Sequence, residues 1–162
     1  EMQANTIASQ MAKKTGGQYR LLHVPDNLSK EAYESLVQEP NIREVIDFVR
    51  HCGIVVHGIG EAMVMARRRK VDPDTMAVMR EDGALAESFG YYFDRMGKVV
   101  HQMPTLGLRL EDIERTRLVI GVAGGESKAE AILAVLRFGQ EDVLITDEAA
   151  AEAMLQRLGP LS

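Results

Sequence analysis

The sequence has one cysteine, Cys52, in 162 residues. An internal disulfide is therefore excluded, and nothing in the chain asks for an oxidising compartment. Long apolar runs are missing too: none approaches the roughly 18–20 residues that cross a bilayer. A basic segment followed by an apolar one, the pattern of a secretory leader, is not seen. These absences set a cytoplasmic location with no membrane partner as the expectation. Basic charge is also short, with 19 Lys and Arg against 24 Asp and Glu and a net charge of -5. Nucleic-acid binding needs a local basic surface that displaces counterions. The one dense basic cluster, Arg67-Arg68-Arg69-Lys70, is too short to read DNA by itself, and no helix-turn-helix, zinc-ligand or basic-region pattern accompanies it.

What is present suits one globular domain: 46% hydrophobic and 27% charged residues. Glu1-Met2-Gln3 runs straight into a helical pattern without cap or linker, so the expectation is a piece of a longer protein. Ile7, Met11 and the alanines at 4, 8 and 12 predict a helix over Glu1–Lys14, stopped by Gly16-Gly17. Tyr19–Val24 reads as a strand closed by Pro25-Asp26-Asn27. Ser29 caps a second helix, and Pro40 opens a third that reaches about Arg50.

Three β-branched runs follow: Gly53–Gly60, Leu118–Gly125 and Asp142–Thr146. Such continuous runs suit parallel strands buried on both faces. An alanine-rich helix follows the third, from Asp147 to about Leu158. Tyr91–Phe93 and Lys98–Val100 flank Asp94-Arg95-Met96-Gly97 as an inserted hairpin. The alternation predicts an α/β domain with a mostly parallel sheet flanked by helices.

In open α/β sheets ligands sit at the carboxyl ends of strands. Gly124-Gly125-Glu126-Ser127-Lys128 lies at such an end, just before a helix. Glycines admit an anion to the backbone, helix-start N–H groups point at it, and Lys128 adds a full charge. It is not a Walker A loop, so an anion cradle and a tight turn both stay open. Gly58-Ile59-Gly60 lies at a second end, but Met63 stands where a dinucleotide fingerprint needs its third glycine. There the turn reading is favoured over a cradle. One arginine of Arg67–Lys70 could reach a phosphate, and the sequence does not choose which. Asp82 and Glu87 could accept hydrogen bonds from sugar hydroxyls, although a surface helix end is the simpler expectation. His57 reads as a core or turn histidine because no nucleophile is paired with it. Cys52 reads as a small buried residue. No ligand cluster requires a metal.

Gln3-Ala4-Asn5, Tyr19–Pro25, Val55–Gly60 and Gly124-Gly125 followed by Ser127-Lys128-Ala129 resemble the SorC family of sugar-operon regulators. Gly58–Ala62, Phe89–Phe93 and Ile145–Glu148 carry the same resemblance. It covers Glu1 to about Leu158. The resemblance implies the fold of phosphosugar isomerases and coenzyme A transferases, used without catalysis and without a cofactor. A phosphorylated sugar would be the effector, with fructose 1,6-bisphosphate the leading candidate, and binding would change oligomerisation and operator binding. By motif, Lys128, Gly124, Gly125 and Ser127 would hold a phosphate beside Gly58 and Gly60. Arg68 would meet a phosphate, Glu87 would accept hydroxyls, and Gln3 would lie near the pocket. The family's DNA-binding domain and its Gly-Thr-rich phosphate loop are absent here. Residues 1–162 are thus expected to be the C-terminal part of an effector domain that forms a homo-oligomer and reaches operator DNA only through the missing domain. A phosphosugar isomerase, with Glu87, Asp82 or His57 as base, is the alternative.

Overall fold

The structure is a computed structural model and describes residues 4–22, 24 and 28–159. Gln3 and the turn Pro25-Asp26-Asn27 lie outside the described residues. Three helices lead: α1 (Ala4–Thr15), α2 (Lys30–Leu36) and α3 (Pro40–Arg50). Ser29 caps α2 as expected, its Oγ accepting from the Ala32 N–H at 3.2 Å. Pro40 opens α3, where a missing N–H costs nothing.

The expected strand at Tyr19–Val24 is not formed among the described residues. Its apolar character is real, but a strand needs a neighbour to complete its ladder, and no described strand lies beside it.

The β-branched runs become β1 (Ile54–Gly58), β6 (Leu118–Val122) and β7 (Val143–Ile145). They form a parallel sheet in the order β1-β6-β7, with Gly58 level with Val122 and Val122 level with Ile145. One face packs Val55 and Val119 against Val49, Leu108 and Ile113, from α3 and the segment holding α6 (Leu110–Arg115). The other face departs from expectation: Ile54, Val56, Val122, Val143 and Ile145 are exposed there. Burial on both faces requires a second covering layer, and no described element supplies it.

A second sheet is antiparallel, ordered β2-β3-β4-β5: β2 (Gly60–Glu61), β3 (Ala86–Ser88), β4 (Tyr91–Phe93) and β5 (Val99–Gln102). The expected hairpin is its β4–β5 half; β2 and β3 extend it. Between them run α4 (Ala62–Arg68) and α5 (Pro73–Glu81). Asp94 closes the β4–β5 turn by accepting from the Met96 and Lys98 N–H groups, with Gly97 at φ 81°. The core lies between this sheet and α7 (Ala129–Phe138) and α8 (Glu148–Leu158). Phe93, Ile132, Ala134 and Ala150 are almost wholly inaccessible there.

Candidate functional site

The carboxyl ends of β1 and β6 lie side by side, so the two glycine-bearing segments meet. After Val122 the chain makes Ala123-Gly124-Gly125 and a 3-10 turn, Glu126–Lys128, that runs into α7. Gly125 takes φ 97°, a region that strains any other residue. A Cβ on Gly124 would lie 2.5 Å from Asp147 Oδ2, so only glycine lets the Asp147 carboxylate pack here. That carboxylate caps α8 by accepting from the Ala150 N–H at 2.9 Å and pins the loop by accepting from the Gly125 N–H at 2.8 Å. The two backbone donors, Ala150 first, hold its carboxyl below the usual range. The Gly125 N–H is therefore already engaged. The N–H groups of Glu126 and Ser127 open the turn, where a helix start leaves donors without intrahelical partners.

Lys128 Nζ reaches across to donate to the Ile59 carbonyl at 3.0 Å. Ile59 stands between β1 and β2, where the chain leaves the parallel sheet for the antiparallel one. Next to it, Gly60 pairs with Glu87 of β3. A Cβ on Gly60 would fall 2.4 Å from Met65 Cγ and 3.5 Å from Glu87 Oε2. Gly58 is less crowded, with only the Val122 carbonyl near, at 3.9 Å.

Glu87 is not at a surface helix end. It is 4% exposed, in contrast to Asp82 at the exposed end of α5. Glu87 Oε1 lies 2.9 Å from Arg69 Nη1 and accepts from the Gly90 N–H at 2.7 Å. Burial works against the charge on Arg69, but Glu87 and then Tyr92 more than offset it, so its basicity is raised. Burial likewise pushes the Tyr92 hydroxyl up. The arginine that turns inward from the basic cluster is thus Arg69. Arg68 stays exposed, its Nη1 4.0 Å from Met65 Sδ. The sequence signals the cluster but not this choice.

The His57 side chain is enclosed although the residue as a whole is half-buried, and its partners were not foreseen: Ser88 Oγ lies 2.7 Å from Nδ1 and Glu141 Oε1 3.4 Å from Nε2. Cys52 is half-buried and burial pushes its thiol up, which keeps it protonated and unreactive. Gln3 lies outside the described residues. Gly58, Gly60, Glu87, Gly124, Gly125 and Lys128 gather around the β1–β6 ends. Ser127 instead lines an adjoining hollow of about 210 Å³ with Arg67. A larger cleft of about 730 Å³ lies between α5, the β4–β5 turn, α7 and α8. It is lined by Asp82, Arg95 and Arg137 among others, and by none of Gly58, Gly60, Arg68, Glu87, Gly124, Gly125, Ser127 and Lys128. Size favours that cleft, but loop chemistry and strand-end position favour the glycine loops, and the second argument is the more specific. Among the described residues no three His, Cys, Asp or Glu gather as a metal site. No described helix is long and apolar enough to cross a membrane.

A parallel sheet with glycine loops and a lysine at its carboxyl ends defines the class: a ligand-binding α/β domain. The chain belongs to the Sugar-bind family of sugar-binding domains, which its residues 1–156 match. It is 47% identical over 154 residues to the central glycolytic genes regulator of Priestia megaterium and 46% identical over 154 to that of Bacillus subtilis. Each match covers 95% of this chain, which spans 45% of the length of each regulator. A crystal structure from Enterococcus faecalis, assigned to the SorC family of transcriptional regulators, superposes with a TM-score of 0.86 at 49% identity. That match covers 94% of this chain and 62% of the solved one.

Proposed function

We propose that this domain senses a phosphorylated sugar, fructose 1,6-bisphosphate first, on behalf of a cytoplasmic repressor. Lys128 with the Gly124–Ser127 turn would take one phosphate, Arg68 would meet a phosphate, and Glu87 would accept hydroxyls beside Gly58 and Gly60. Gln3 would lie near the pocket. The observation that carries this reading is the reach of Lys128 Nζ to Ile59, which brings a full positive charge to the junction of both glycine segments. The identity to glycolytic gene regulators supports a glycolytic sugar phosphate.

Among the described residues no strand pairs with the outer edge of β1 and no element covers the exposed β-branched face, which supports an upstream strand and Gly-Thr-rich loop as the rest of the pocket. Operator DNA would be met through a further domain. Effector binding would favour one arrangement of a homo-oligomer by its differential affinity, a coupling of about 1–3 kcal/mol.

A binding role fits better than isomerisation. A general base needs freedom to reach a substrate proton. Glu87 is committed to Arg69 and Gly90, and His57 sits between Ser88 and Glu141. Calorimetric titration with fructose 1,6-bisphosphate tests the reading. Lys128→Ala should weaken binding at least tenfold, the scale of a charge-assisted contact. Unchanged affinity would remove Lys128 from the site, and turnover of the sugar seen by NMR would restore the isomerase.

A further inference from the structure

Below the glycine loops a polar relay crosses both sheets. His57 is on β1, Ser88 on β3, and Glu141 just before β7. The His57 and Glu141 side chains are 7% and 2% exposed, and Ser88 is 1% exposed. Ser88 Oγ lies 2.7 Å from His57 Nδ1 and 3.3 Å from the Gly58 carbonyl. Phe89 packs against the ring, with centroids 4.3 Å apart and planes tilted by 40°, from a left-handed φ of 57° that is uncommon for a bulky residue. The grouping resembles a hydrolytic triad but lacks its use, since Ser88 is sealed from any substrate.

The Glu141 carboxylate facing Nε2 favours a proton on that nitrogen, which leaves two arrangements of the hydrogens around Nδ1, itself 3.3 Å from the Gly58 carbonyl. With a neutral ring protonated at Nε2, the Ser88 hydroxyl donates to Nδ1 and the Gly58 carbonyl loses its donor. With a charged ring, Nδ1–H donates to Ser88 Oγ, the hydroxyl turns to Gly58, and the Nε2–H faces the Glu141 carboxylate. Gly58 is one residue before Ile59, whose carbonyl holds Lys128. Among the described residues, Glu141 is the charged group recorded against the ring. The adjacent acids face elsewhere: Glu87 toward Arg69, Asp142 toward the Val119 N–H.

We propose that His57 is a positioning residue for the effector loops: its charge sets which acceptor Ser88 serves, so that effector binding is linked to proton uptake. This rests on the effector reading above for its ligand, but the relay itself can be tested without one. Imidazole is the side chain that ordinarily changes charge between about pH 5 and 8. The amide NMR signals of Gly58, Ile59 and Gly60 should move over that range in one step with the His57 ring. They should stay still in His57→Gln and move clearly less in Ser88→Ala, which removes the hydroxyl but keeps the ring and its own approach to the Gly58 carbonyl. Fructose 1,6-bisphosphate affinity should rise roughly fivefold or more from about pH 8 to 6 relative to His57→Gln, the low end of ordinary coupling. The ionisation of the phosphates is common to both proteins and cancels in that ratio. Glu141→Gln should lessen the effect. A ring that titrates while the amides stay still, a ring that keeps one charge throughout, or equal pH slopes in both proteins would overturn the proposal. Absence of bisphosphate binding at every pH would instead count against the effector reading, and the amide titration would still decide the relay.

Discussion

Removing both partners of the Arg69–Glu87 pair should cost clearly less than the sum of the two single removals. Glu87→Gln keeps the side-chain shape and an oxygen for the Gly90 N–H but removes the negative charge beside the Arg69 guanidinium. A broken buried pair typically costs about 3–5 kcal/mol. The Arg69 side chain is 17% exposed, so water offsets part of this, and about 2–4 kcal/mol is expected. Arg69→Met leaves a carboxylate with 5% exposure and one backbone donor, so its cost belongs at the upper end of the range. The double variant leaves no uncompensated charge, and the coupling should reach about 1.5–3 kcal/mol. For a domain of this size each kcal/mol moves the melting point by about 2–4 °C. Urea unfolding of all four proteins closes the cycle. Two single variants within about 0.5 kcal/mol of the parent, adding without coupling, would show the pair to be as weak as a surface one and refute the argument.

Gly97→Ala should cost about 2–4 kcal/mol, because a Cβ there meets the Phe138 N at 2.4 Å and φ is 81°. Gly83→Ala shares a positive φ but has open space around it, and should cost distinctly less in the same unfolding assay; equal losses would contradict the packing argument. Asp147 has a lowered pKa in the folded state, so its contribution is present above the unfolded value near about 3.9 and is lost as pH falls through the folded one. Asp147→Asn should therefore be less stable than the parent near neutrality and closer to it below about pH 4, measured by urea unfolding at both. A stability difference that does not change with pH would sink that assignment.

Much of the fold was legible because its signals are local. Ser29 and Pro40 marked helix starts, and runs such as Ile54-Val55-Val56 marked parallel strands. Misses came where partners decide. Tyr19–Val24 has strand-like residues but no described strand beside it. β2 and β3 are two and three residues long, too short to show a period, and exist through pairing with each other. The site divides in the same way. Gly124-Gly125 and Lys128 were visible as a loop at a strand end, whereas the choice of Arg69 and the burial of Glu87 arise from tertiary pairing. Asp147, which holds that loop, read only as the start of a helix. Its link to Gly125 spans 22 residues and leaves no pattern in sequence.

The most direct measurement is the melting temperature with and without fructose 1,6-bisphosphate, beside glucose 6-phosphate and free phosphate, for this chain and for one extended upstream. At a concentration 100 times the dissociation constant, a ligand specific to the folded state adds about 2.7 kcal/mol. That corresponds to a shift of roughly 5–10 °C. The account predicts this shift for the bisphosphate, larger in the extended chain and lost in Lys128→Ala. No shift with any sugar phosphate in either chain would contradict it.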